Sequence, residues 1–123
     1  MTEGVHTARF DILHRTGSGW LGVGVIGTQF DDKTECHASD GQFGWTWRAF
    51  CGELRHNSDF TDWAGQQGYG AGDMLELRLD LDKGNLIAFK NSVLLGVIES
   101  GLVGSFRWGV EMCYAGDVIR VGL

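Results

Sequence analysis

The stretch Leu79–Gly96, "LDLDKGNLIAFKNSVLLG", decides the fold. It opens with Asp80-x-Asp82-x-Gly84, as a calcium loop does, yet strand-like alternation runs on both sides of it. An EF-hand loop needs oxygen ligands at its first, third and fifth positions, glycine at the sixth and glutamate at the twelfth. Counted from Asp80, the last three of these hold Gly84, Asn85 and Asn91, and all fail. The same residues suit a hairpin. Gly84 supplies the positive φ of a tight turn, and Asp82 is placed to accept backbone N–H groups across it. A second reversal at Asn91-Ser92 leads into "VLLGV", so the segment is expected to be a β-meander with no metal.

Working outward, the alternation continues. In "MLELRLDL" Leu75, Leu77, Leu79 and Leu81 share one face, and Glu76, Arg78 and Asp80 the other, as in a strand with one dry side. "HTARFDIL" places Ala8, Phe10 and Ile12 together, while "GWLGVGVIG" (Gly19–Gly27) suits a strand buried on both faces. Further short strands are expected at "NLIAFKN", "VLLGVI", "WGVEMCY" and "DVIRVGL", with another around Gly44–Phe50. Trp45, Trp47 and Trp20 are expected to point into the core. Residues 28–44 and 56–72 are more polar and are expected to be mostly loops. Twenty glycines without a single proline fit many tight turns built on Gly, Asn and Asp. The fold class is therefore all-β: an antiparallel β-sandwich of two packed sheets.

A length of 123 residues fits one domain, 1–123, with a single core. The net charge of −6 argues against nucleic acid or an anionic membrane as the main partner. No apolar run reaches the ~20 residues that span a bilayer, and no signal-peptide pattern opens the chain, so a cytoplasmic or nuclear protein is expected. Cys36, Cys51 and Cys113 cannot all pair and show no Cys-x-x-Cys spacing, which fits reduced thiols.

The segment Gly68–Gly104, "GYGAGDMLELRLDLDKGNLIAFKNSVLLGVIESGLVG", resembles the core signature of SPRY domains. That signature has Gly-Asp before a strand, Leu-Asp-x-Asp-x-Gly, a strand ending in Lys-Asn, then Leu-Gly-Val and Gly-Leu. Upstream, "GVHTARFDIL" and "GWLGVGV" are similar to the family's Gly-x-His opening strand and its Trp-x-x-Gly-Val strand, and "GWTW" with "GELRHN" to its Trp-rich strand and the hairpin that follows, in the same order. The resemblance implies a concanavalin-like jelly-roll sandwich, either a minimal domain or a piece of a longer chain. Three departures stand out. Ser92 replaces a usual glycine, Arg107-Trp108 replaces Tyr-Pro, and Ala88 stands near the place of a buried aromatic, a role passed to Phe89.

Little in the sequence points to chemistry. Cys36-His37 with Cys51 and His56 lacks a zinc-ligand spacing. There is no Gly-x-Ser-x-Gly elbow, and "GVGVIG" lacks the helix and Lys of a phosphate loop. His6 and His56 match family positions where a structural hydrogen bond is expected. Glu76 and Glu111 are neighbours only if their strands are, and a surface role is preferred over a glycosidase pair.

The resemblance implies a non-catalytic protein–protein interaction module. It would bind a peptide segment or protein surface through loops at one edge of the sandwich, as ubiquitin-ligase substrate-recognition and adaptor domains do. In the SOCS-box branch an aromatic and a small residue before the last strand touch the peptide, and alignment puts Tyr114 and Ala115 there, beside Cys113 and Gly116. The arginine that helps that branch hold its peptide has no counterpart, so its specificity is not carried over. Tyr114 is expected to anchor the partner with residues 28–44 as the other wall; Arg107, Trp108 and Trp63 are further candidates. No cofactor is implied, and a monomer is expected. The alternative is a lectin-like sandwich using Trp63 in "FTDWAGQQGYG".

Overall fold

The computed structural model describes residues 1–15, 21–30, 39, 41–112 and 116–123. Ten strands appear: β1 Val5–His14, β2 Leu21–Gly27, β3 Gly44–Arg48, β4 Leu54–His56, β5 Asp59–Thr61, β6 Met74–Asp80, β7 Asn85–Lys90, β8 Val93–Glu99, β9 Phe106–Met112 and β10 Val118–Gly122. There is no α-helix among the described residues. All pairings are antiparallel. One sheet, here sheet A, runs β10-β1-β6-β7-β8, and sheet B runs β5-β4-β3-β2-β9.

The period-two pattern sets which residues meet between the sheets. Phe10, Leu75, Leu77, Leu79 and Leu86 of sheet A are completely buried, and Val23 and Trp47 of sheet B face them. Each large side chain so buried contributes roughly 1.5–3 kcal/mol. Trp45, expected inside, packs half-buried against this core and stacks on His56 with centroids 4.3 Å apart. Trp20 lies outside the described residues.

The decisive stretch is a hairpin followed by a second one, with one correction. Gly84 has φ 74°, as the turn demands. However, the residue that caps the turn is Asp80, whose Oδ1 accepts from the Asp82 and Lys83 amides at 3.1 Å each. Asp82 instead accepts from the Gly4 amide at 3.1 Å and ties the turn to the start of β1. The β7–β8 reversal has φ 51° at Asn91 and 69° at Ser92, a two-residue turn with both centres left-handed. Asn91 Oδ1 accepts from Met74 N–H and its Nδ2 donates to Asp73, so the turn is pinned to β6.

Other expectations change. Residues 56–72 are mostly loop as expected, but they also hold a short hairpin: Asn57 and Ser58, φ 53° and 64°, join β4 to β5. Tyr69 in that region is buried, and its hydroxyl donates to Trp47 O at 2.7 Å. Burial pushes this phenol's pKa up. Phe89 does not fill the place beside Ala88, because neighbours on a strand point to opposite sides. Ala88 is fully buried, whereas Phe89 lies on the outer face under Arg78, 4.8 Å from ring centroid to guanidinium. Glu76 and Glu111 are not neighbours either, since β6 and β9 belong to different sheets.

Candidate functional site

The outer face of sheet B carries an unusual polar layer. Register places Gly22 between Glu111 and Arg48, and Gly24 between Gly109 and Thr46, with Arg55 and Phe60 continuing that second row. Glycines at the centre leave a floor with no side chains. A Cβ on Gly24 would collide with the Trp45 carbonyl, so β2 and β3 approach too closely there for any other residue. Around this floor Thr46, Arg48, Arg55 and Glu111 are all buried. The Phe60 ring lies 5.7 Å from the Arg48 guanidinium and 5.1 Å from that of Arg55, and is itself exposed. Burial, then the like charge of Arg55, lowers the Arg48 pKa, while Glu111 opposes that.

Ser39 closes the layer. Its backbone N–H and its Oγ donate to the two Glu111 carboxylate oxygens at 2.9 and 2.7 Å, and its carbonyl accepts from Ser58 N–H at 3.0 Å. Gly41 O accepts from Asn57 N–H at 3.1 Å. The 28–44 segment is thereby tied at one point to the end of β9 and to the β4–β5 turn. Glu111 is thus a buried, hydrogen-bonded carboxylate rather than the surface residue expected.

The candidate residues fall in separate places. Cys113, Tyr114 and Ala115 lie outside the described residues; Gly116 is on an exposed turn just before β10. Arg107 and Trp108 sit at the other end of β9, where they line a cavity of about 680 Å³ with Met1, His6, Phe106 and Val121. Trp108 is half-buried and meets Phe10 edge-on at 6.4 Å. Along β9 Arg107 and Trp108 lie four and three residues from Glu111, about 13 and 10 Å. Trp63 belongs to neither place. Its Nε1 donates to Gly52 O at 2.6 Å and its ring stands edge-on to Trp47 at 6.0 Å, so it covers the rim of the core.

His6 and His56 hold the backbone carbonyls of Glu3 and Gly44, at 2.6 and 2.7 Å. Among the described residues no three His, Cys, Asp or Glu side chains converge to hold a metal ion. Cys36 and His37 lie outside the described residues. Sequence reasoning missed the Ser39–Glu111 contact because 72 residues separate the partners. The only available hint was the glycine spacing of β2, Gly22 and Gly24, with Gly109 across from it.

Two antiparallel five-stranded sheets, one buried core between them and a polar layer outside sheet B define a β-sandwich scaffold. No family model and no curated protein matches the sequence. The structure is similar to that of the SPRY domain of human HERC1, with a TM-score of 0.82 over 98% of this chain and 76% of that one, at 19% identity. The chain has the SPRY fold.

Proposed function

We propose that this chain is a non-catalytic interaction module that binds a peptide segment or protein surface through loops at one edge of the sandwich. The fold supports the general class, since a closed sandwich spends its strands on stability and leaves its loops for recognition. The observation that carries the choice of edge is the Ser39–Glu111 contact. It ties the 28–44 segment to the end of β9, from which the chain continues into Cys113, Tyr114 and Ala115. On this proposal Tyr114 anchors the partner, Ala115 and Gly116 let its backbone approach, and the protein works inside the cell as a recognition or adaptor domain.

Affinity purification from cells, comparing wild type with Tyr114→Ala, tests this. The variant should lose roughly 1–3 kcal/mol of binding with its melting temperature nearly unchanged. Equal partner recovery by both proteins counts against the proposal. A glycan array should stay silent; a positive array replaces the peptide-module proposal with the lectin-like one.

A further inference from the structure

The outer face of sheet A, on the opposite side of the sandwich from Ser39 and Glu111, is only half polar. Register places Glu76, Phe89 and Leu94 side by side in one row, and Arg78, Ile87 and Val97 in the next. Leu94 and Val97 are 60% and 44% exposed, on the strand that forms the sheet's edge. Beyond Glu76 and Arg78 the face becomes a mosaic in which Arg9 and Arg120 both bond Asp11, at 2.9 and 3.1 Å. Across β10, β1 and β6, Arg9, Arg78 and Arg120 balance Asp11, Glu76 and Asp80, and with Glu99 at the end of β8 the face carries about one net negative charge on a chain of net charge −6.

From this arrangement we infer that two copies of the chain pair through the outer faces of their A sheets. The two rows are complementary to each other in order. A twofold axis lying between them, across the strands, sets Glu76 against Arg78 of the second copy. It also sets Phe89 against Ile87 and Leu94 against Val97, and each contact occurs twice, as an isologous interface requires. Near-neutrality and the opposite charges of Glu76 and Arg78 decide for a second copy, because this face can meet itself with little of the repulsion that a net negative chain otherwise carries. The size is adequate. Five strands ~4.8 Å apart and about seven residues long present ~550 Å² per copy. The pair therefore covers ~1,100 Å², at the lower bound of about 1,000 Å² for a specific interface. The dimer replaces the monomer expected from sequence, and it is independent of the loop-edge binding proposed above.

Sedimentation equilibrium of the full chain over a concentration series tests it. Wild type should move from 13.5 kDa towards twice that mass. Glu76→Arg and Arg78→Glu, each placing like charges across the axis, should each raise the dissociation constant at least tenfold while melting as cooperatively as wild type. Mixed together, the two variants should associate again, because each then meets the opposite charge on the other. A wild type that stays at single-chain mass throughout overturns the inference, and leaves the face to a different protein. Single variants that still dimerise, or a mixture that does not recover, overturn it too.

Discussion

Glu111 accepts two hydrogen bonds from Ser39, one from the backbone and one from the hydroxyl, and both residues are buried. A carboxylate in such a place is stabilised by charge-assisted bonds that it cannot recover from water. Glu111→Ala should therefore cost about 2–3 kcal/mol in urea unfolding. Hydrogen exchange at the Ser39 amide should accelerate by more than global destabilisation accounts for. An unchanged Ser39 exchange rate argues against the contact.

Gly65 and Gly96 bring the loop carrying Trp63 against β8. A Cβ on Gly65 would strike the Leu95 carbonyl, and one on Gly96 the Ala64 carbonyl. Gly65 also has φ 93°, which alanine resists. Gly65→Ala should destabilise by about 2–3 kcal/mol. Gly70→Ala, with no atom within 4 Å of the added carbon, should be close to neutral. Paired thermal melts decide this.

Ser92 adopts φ 69° without the side-chain bonds that Asn91 makes to β6. Glycine relieves that conformation, so Ser92→Gly should raise stability by about 1 kcal/mol, seen as a higher urea midpoint. A lower midpoint means that the extra freedom of the unfolded glycine outweighs the relief.

The Asp11 carboxyl is held below its ordinary pKa by the hydrogen bond from Arg9, with Arg120 adding to it against some desolvation. A depressed folded value contributes stability that is complete above the unfolded value of about 3.9. It is lost as pH falls through the folded value. The gap in urea midpoint between wild type and Asp11→Asn should be flat from about pH 5 to 7 and close at lower pH. A gap that persists at the acid end contradicts this assignment.

Local alternation made most strands legible. Leu75, Leu77 and Leu79 declared their buried face because side chains on a strand change sides at every residue. Gly84 and Asn91 marked turns because few residues tolerate positive φ. The family resemblance put a hairpin at "GELRHN", but its exposed second strand, "DFT", was not legible because it has no dry face to alternate against. Phe89 was misassigned because its neighbour's role was given to it without regard to that same alternation.

The sequence alone determined an all-β sandwich and the turns at Gly84 and Asn91-Ser92, since these follow from interactions between near neighbours. Only the tertiary structure decided that Glu76 and Glu111 belong to different sheets, that Asp82 reaches Gly4, that Trp63 is a cover and that Ser39 meets Glu111. Those pairings depend on how the sheets stack and where long connections return. Contacts 72 or 78 residues apart leave no periodic trace in the chain, because they are made by packing and not by spacing.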